Sequence, residues 1–150
     1  MYVCLIRHGD YITEGYSDDS LYPLSDEGKD TMLTLCEKLA EKKLVPNRIY
    51  SSPLKRAEES SKIIGMSFVK PYEKQDALKD FDSNTLLSLI QENKGKNLFF
   101  VGHAPYLIEL ANLLCKEDIN ISKMAKSSAI LLQFGDEIEF QQAKFIEYIS

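Results

Sequence analysis

The chain has 150 residues, 44% of them hydrophobic and 27% charged, which is ordinary for a soluble globular protein and enough for one core without disulfide or metal staples. Its net charge of −5, from 23 acidic against 18 basic side chains, argues against nucleic-acid binding on a general basic surface, and no apolar run approaches the ~20 residues of a membrane span. The three cysteines, Cys4, Cys36 and Cys115, are too few and too scattered for a disulfide framework or a zinc site; with no basic leader ahead of Arg7 and His8, the expected location is cytoplasmic.

No repeat, low-complexity tract or linker interrupts the chain, so residues 1–150 are read as a single domain. The first element, Tyr2 to Ile6, is short and apolar on both faces, which suits a central parallel strand. A polar, tyrosine-bearing loop runs from Asp10 to Leu24. Ser25 followed by Asp26 and Glu27 then reads as a helix N-cap with acids in the first turn, and Met32, Leu35, Cys36, Leu39 and Ala40 give the helix one apolar face to about Lys43.

Arg48 to Ser51 is a short second strand, and Ser52-Pro53 reads as N-cap and first residue of a second helix reaching Ile64. Ser67 to Lys70 is expected as a third strand. Leu86, Leu89 and Ile90 share one side of a helix over Asp82 to Asn93, and Leu98-Phe99-Phe100-Val101 forms another buried strand. Pro105 opens the next helix, with Leu107, Leu110, Ala111 and Leu114 on one stripe. Near the end, Ala129 to Phe134 and Glu137 to Phe145 flank Gly135-Asp136, a two-residue hairpin signal that implies antiparallel final strands.

Strands alternating with helices imply an α/β three-layer sandwich: a mostly parallel central sheet, helices on both faces and antiparallel strands at the C-terminal end. Ligands in such folds sit outside the carboxyl ends of the strands. Three segments are expected there: Arg7-His8-Gly9, Ser51-Ser52-Pro53 with Arg56, and Gly102-His103.

A histidine just past a buried strand is more often a packed residue than a nucleophile, so the weight of His8 comes from its company. The chain has only two histidines, His8 and His103, and three arginines, Arg7, Arg48 and Arg56; both histidines and two of the arginines fall at predicted strand ends or in the helix turn beyond. Gly9 lets backbone approach a ligand closely, and Arg56, expected in an exposed first helical turn, sits where amide N–H groups and the dipole favour anions. Arg7, Arg56 and a protonated His103 would give a phosphoryl group the charge stabilisation its transfer requires, Arg with a planar fork that Lys lacks. Neutral His8 is then the natural nucleophile, provided an acceptor such as a backbone carbonyl holds its other ring nitrogen.

These residues resemble the histidine phosphatases, also called the phosphoglycerate mutase-like superfamily, and most closely the small SixA-type phosphohistidine phosphatases. Leu5-Ile6-Arg7-His8-Gly9-Asp10 is similar to the nucleophile motif, and Pro23-Leu24-Ser25-Asp26-Glu27-Gly28 to the segment opening the first helix. Ile49-Tyr50-Ser51-Ser52-Pro53 with Arg56-Ala57-Glu58 resembles the second phosphate-binding motif, and Val101-Gly102-His103-Ala104-Pro105 the last. The resemblance implies that His8 becomes phosphorylated, that Arg7, Arg56 and His103 complete the phosphate pocket, and that no metal or organic cofactor is needed. Six residues after the nucleophile, where many larger members carry Asn, this chain has Glu14.

Family members carry an acid after a leucine in the region resembling Ala77-Leu78-Lys79-Asp80-Phe81, which nominates Asp80 as proton donor, with Asp10 and Asp82 as competitors. A general acid matters most for an alkoxide leaving group, whereas a phosphohistidine can leave as neutral imidazole. The short segment beginning at Pro71 is the only stretch left for a lid, so an open pocket is expected, rimmed by Tyr11, Tyr16 and Tyr22. The expected function is a metal-independent phosphatase with a phosphohistidine intermediate, acting on phosphohistidine in a partner protein. The alternatives are a phosphatase of small phosphate esters such as sugar phosphates and a non-catalytic phosphate-binding module.

Overall fold

The computed structural model describes residues 1–150. Its centre is strand β1 (Tyr2–Arg7), which pairs in parallel with β4 (Leu98–Gly102) on one side and antiparallel with β5 (Ala129–Gln133) on the other. Beyond β4 lie β2 (Arg48–Ser51) and the edge strand β3 (Tyr72–Lys74), both parallel; beyond β5 lies β6 (Lys144–Ile149), antiparallel to β5. The six strands thus follow the order β3-β2-β4-β1-β5-β6.

Alternation along β1 explains the layering. Val3 and Leu5 point into a core shared with Leu86, Ile90, Leu107 and Leu110, while Cys4 and Ile6 point into a second core with Met32, Leu35, Leu39 and Ile64. Helices α1 (Asp26–Glu41) and α2 (Lys55–Phe68) therefore cover one face, and α3 (Ala77–Asp80), α4 (Ser83–Glu92) and α5 (Ala104–Leu114) the other. Phe99 and Phe100 on β4 face opposite cores and are both fully buried, each contributing on the order of 1.5–3 kcal/mol by leaving water. The expected three-layer α/β architecture, with its antiparallel C-terminal strands, is the one found.

Three local expectations need correction. Helix α2 starts at Lys55, not at Pro53, and Leu54 is its N-cap. The Ser52 hydroxyl instead accepts from Leu54 N–H at 3.3 Å and reaches His103, and a residue before proline is biased away from helical backbone. The helix also continues through Ser67 and Phe68, which were expected in a strand, because the Phe68 ring packs edge-on against Phe99 at 5.8 Å. Lys70 N–H then closes onto the Gly65 carbonyl at 2.9 Å, and the third strand begins only at Tyr72.

There is also no two-residue hairpin at Gly135-Asp136. Residues 134–143 bury Phe134, Ile138 and Ala143 instead, and the N–H groups of Gln141, Gln142 and Ala143 bond the Leu113 and Leu114 carbonyls. The segment satisfies the orphan carbonyls at the end of α5, a gain no tight turn offers.

Candidate active site

Register brings the candidate residues together. Arg7 pairs opposite Gly102, and Ser51 opposite Val101, so β1, β4 and β2 end level with one another and the residues that follow them share one rim. His8 and Gly9 follow β1, Ser52 follows β2, His103 follows β4, and Arg56 lies in the first turn of α2.

Backbone holds His8 on several sides. Its N–H donates to the Gly102 carbonyl (3.2 Å), its carbonyl accepts from Ser127 N–H (3.1 Å), and the adjoining Gly9 N–H donates to Ser60 Oγ (3.0 Å). The helix α1 enters this packing closely: a Cβ on Gly28 would lie 2.1 Å from the Asp10 carbonyl oxygen, and one on Gly9 2.7 Å from the Gly28 carbonyl oxygen. Only glycine permits that approach. Ser25 completes the junction, accepting from Gly28 N–H and donating to the Asp10 carboxylate at 2.8 Å.

His8 is 3% exposed. Its Nδ1 lies 2.8 Å from the Gly9 carbonyl oxygen, which can only accept, so Nδ1 carries the hydrogen and Nε2 keeps its lone pair. Burial outweighs the upward pull of that carbonyl and, with the nearby cationic groups, pushes the pKa down to about 3. His103 lies 5.2 Å away between ring centroids, with Nε2 2.8 Å from Ser52 Oγ. Burial first, then Arg56, draws its pKa down to about 4. The lowered pKa favours the neutral His103 ring at pH 7, and the charge that His103 would offer a phosphoryl group is one the group itself must draw out.

Arg56 is also placed differently from expectation. It lies in the first turn but is only 7% exposed, covered by the loop ahead of α1. Its Nη1 donates to the Asp19 carbonyl at 2.8 Å and its Nη2 to the Asp19 carboxylate at 3.2 Å, while the guanidinium carbon sits 4.9 Å from the Tyr11 ring centroid. Arg7 donates from Nη1 to the Met124 carbonyl at 2.6 Å. The Nε–H groups of both arginines are buried with no acceptor in the fold, a costly state that an oxyanion would relieve.

An open hollow of about 480 Å³ lies at this rim, lined by residues that include Asp19, Leu54, Arg56, Lys79, His103 and Tyr106. Asp80 is not among them. It lines a second hollow with Asp76, Asp82 and Thr85, while Lys79, the residue before it on α3, lines the first. Asp10 is engaged by Lys126 at 2.7 Å and by Ser25, which hold its carboxyl below the usual range. Asp82 caps α4 through Thr85 and is lowered for that reason. Asp18 and Asp19 line the hollow; Asp80, Asp10 and Asp82 do not, and neither do His8 and Arg7 at the end of β1. Tyr11 and Tyr22 stack at 5.8 Å beside Arg56, whereas Tyr16 is exposed. No group of three or more His, Cys, Asp or Glu side chains is disposed to hold a metal ion.

Several supporting residues had no sequence signal of their own. Ser60 lies on the inner face of α2, and the Met124–Ser128 turn, which holds Arg7 and His8, precedes β5. An antiparallel strand brings its leading end, not its trailing one, to the carboxyl rim of its parallel neighbours, so a polar run such as Lys126-Ser127-Ser128 ahead of it is the signal to look for.

The model of the histidine phosphatase superfamily (branch 1) matches residues 3–98, a span that holds Arg7, His8 and Arg56 and stops short of His103. No curated protein matches in sequence. Among solved structures, the protein histidine phosphatase SixA in complex with tungstate superposes with a TM-score of 0.84 at 23% identity, covering 100% of this chain and 97% of that one. A candidate phosphohistidine phosphatase SixA from Agrobacterium tumefaciens gives 0.81 at 21%, covering 99% and 97%. A mycobacterial glucosyl-3-phosphoglycerate phosphatase gives 0.76 at 15%, covering 97% and 96%. These structural likenesses are of fold; the matched span carries the family, and the chain belongs to the histidine phosphatase superfamily, branch 1, which makes it a phosphoryl hydrolase.

Proposed function

We propose that the protein is a phosphatase that works through a phosphohistidine at Nε2 of His8 and that its substrate is a phosphohistidine on another protein. The observation that carries this reading is the 2.8 Å contact between His8 Nδ1 and the Gly9 carbonyl, which leaves an unprotonated Nε2 on a buried ring beside two arginines. A histidine with its pKa near 3 needs no deprotonation before attack at neutral pH.

In the first step the Nε2 lone pair attacks phosphorus in line, the N–P bond forms, and the bond to the leaving group breaks with its electron pair going to that group. Arg7 and Arg56 supply donors to the equatorial oxygens. An arriving dianion favours the protonated form of His103, opposing the arginines that keep it neutral. In the second step a water oxygen attacks the same phosphorus, His8 leaves with the N–P electrons, and inorganic phosphate departs with the water's protons shared between phosphate and solvent.

The carboxylates support a phosphoramidate substrate over an alkyl ester. Asp80, Asp10 and Asp82 do not face the hollow, and Asp19, which does, is engaged by Arg56. An alkoxide depends on an external acid, whereas imidazole protonated on its far nitrogen leaves neutral. The openness of the rim points the same way; the fold itself is shared with SixA phosphatases and with a glucosyl-3-phosphoglycerate phosphatase alike. Lys79 at the rim favours a second reading, a small ester carrying another anionic group.

Two measurements together test the proposal. Brief exposure to labelled substrate should leave an acid-labile label on the wild-type protein and none on His8→Asn, which keeps a side-chain donor for the Gly9 carbonyl and falls in turnover by roughly 10⁴-fold or more. Phosphate release from a phosphohistidine protein should exceed that from a panel of sugar phosphates. Normal turnover by His8→Asn would remove the intermediate, and a preference for sugar phosphates would favour the second reading.

A further inference from the structure

The ring of Tyr11 stands where three functional groups meet. It packs edge to face with His8 at 5.4 Å between centroids and 68° between planes. The Arg56 guanidinium carbon lies 4.9 Å from its centroid, and Lys126 Nζ 4.8 Å. The ring is itself well fixed: it stacks on Tyr22 at 5.8 Å and 9°, and the Tyr11 backbone bridges to Leu24, whose N–H donates to Glu59 on α2 at 2.7 Å. We propose that Tyr11 is a positioning residue, an aromatic wall that keeps Arg56 and the His8 ring in place while the polar partners of Arg56 change.

The argument rests on the assignment of Arg56 as a phosphate grip, and on how its contacts divide. Its two terminal nitrogens are held by Asp19, whose side chain is 63% exposed and carried by a short turn over Asp19–Leu21. A phosphoryl group that takes the unclaimed Nε–H together with Nη2 must compete with that carboxylate at Nη2. The aromatic contacts do not compete: a ring beneath the guanidinium carbon attracts the cation through its face and leaves the N–H groups free for oxygens. Tyr11 and Tyr22 can therefore hold Arg56 through the exchange of Asp19 for substrate. The edge contact of Tyr11 also limits rotation of the His8 ring about the axis that aims Nε2, complementing the hydrogen bond at Nδ1.

Lys126 fits the same account. Its ammonium group sits at the Tyr11 ring and 2.7 Å from the Asp10 carboxylate, so the ring links the loop after β1 to the turn before β5. That turn supplies the Met124 carbonyl and Ser127 N–H that hold Arg7 and His8. One aromatic side chain thus touches His8, Arg56 and, through Lys126, the turn that holds Arg7.

The test compares Tyr11→Phe, which keeps the ring, with Tyr11→Leu, which keeps an apolar side chain without a π face. Inorganic phosphate affinity is measured by titration calorimetry, kcat and KM on a phosphohistidine protein, and Tm by thermal melting. Tyr11→Phe should stay within about twofold of wild type in all parameters, whereas Tyr11→Leu should lose about tenfold in both phosphate affinity and kcat, the size of a partly desolvated cation–π contact. Replacing Tyr11 with phenylalanines of increasing ring fluorination, which drain the π face at nearly constant shape, should weaken phosphate affinity stepwise. A Tyr11→Leu protein with wild-type phosphate affinity overturns the proposal, as does a Tyr11→Phe protein as impaired as Tyr11→Leu, since the hydroxyl would then be the functional group. Absence of phosphatase activity in the wild type would sink the functional reading instead, and the calorimetric ratio, which needs no turnover, would still decide the role of Tyr11.

Discussion

The wall that carries Arg7, His8 and Gly9 and the wall that carries Asp18, Asp19 and Lys79 meet at one site, yet different forces hold them. On the first, strand register, main-chain hydrogen bonds and the Gly9–Gly28 approach leave each group one position. On the second, an exposed carboxylate holds an arginine, and Lys79 projects from a helix only one turn long. On the proposed reading the difference maps onto the two halves of a phosphoryl substrate: the transferred group, the same for every substrate, would meet the rigid, buried wall, and the variable leaving group the exposed side chains.

Arg56 lies on the seam, and after the loss of His8 itself, disturbing it should give the largest effect. Arg56→Lys keeps the charge but loses the planar fork, so kcat/KM should fall about a hundredfold, or roughly 3 kcal/mol of transition-state stabilisation. Because Arg56 is buried and bonded to the Asp19 backbone, the same variant should also melt a few degrees lower, about 1 kcal/mol for a lost buried hydrogen bond. Steady-state kinetics and a melt on the same sample check both, and an unchanged kcat/KM would take Arg56 out of the phosphate contacts.

The rigid wall has its own signature in pH. His8 and His103 are held neutral, with pKa values lowered from 6.5 to about 3 and about 4. Above pH 6.5 each is neutral folded and unfolded, and neither makes stability depend on pH. As pH falls below 6.5, the unfolded chain takes up protons that the folded chain refuses, so stability declines until pH reaches the folded values. Each histidine contributes a slope of up to about 1.4 kcal/mol per pH unit. Carboxylates such as Asp10, Asp18 and Asp82, lowered from 3.8, act below that window, so the range from pH 6.5 to 4.5 isolates the histidines. Urea melts should show stability falling over this range, less steeply in His103→Asn, and less steeply in wild type with saturating phosphate, which favours protonated His103. A flat profile would mean that the two rings titrate normally and that the wall is open to water.

What the sequence shows follows the same division. The rigid wall was legible because its residues obey short-range rules: a strand buried on both faces, a glycine after His8, Ser25 as N-cap, and strands that end at Arg7, Ser51 and Gly102. The exposed wall was not. Asp19 meets Arg56 across a loop whose path has no period, and Lys79 and Asp80 line different hollows from a one-turn helix too short to show periodicity. The Met124–Ser128 turn depends on the direction of β5, which one hairpin signal suggested for the wrong reason: the strands are antiparallel, but residues 134–143 connect them by capping α5.

The smallest effect belongs to Asp80, which sharpens the comparison because it lines a different hollow from Arg56 and His103. An acid must come within hydrogen-bond reach of the leaving atom, directly or through one water. Asp80 instead opens onto the hollow shared with Asp76 and Asp82, while Asp19 lines the one shared with Arg56 and His103. Asp80→Asn should therefore change kcat/KM by less than about twofold for alkyl phosphates and phosphohistidine alike, whereas a general acid would cost about 10²- to 10⁴-fold on the alkyl substrate alone. Asp19→Asn is the informative partner. It weakens the competitor for the Arg56 donors while keeping the backbone carbonyl contact, so it should lower KM for both substrates. A selective loss on alkyl phosphates in Asp19→Asn would make Asp19 the leaving-group acid, and the same loss in Asp80→Asn would require α3 to turn Asp80 into the site during catalysis.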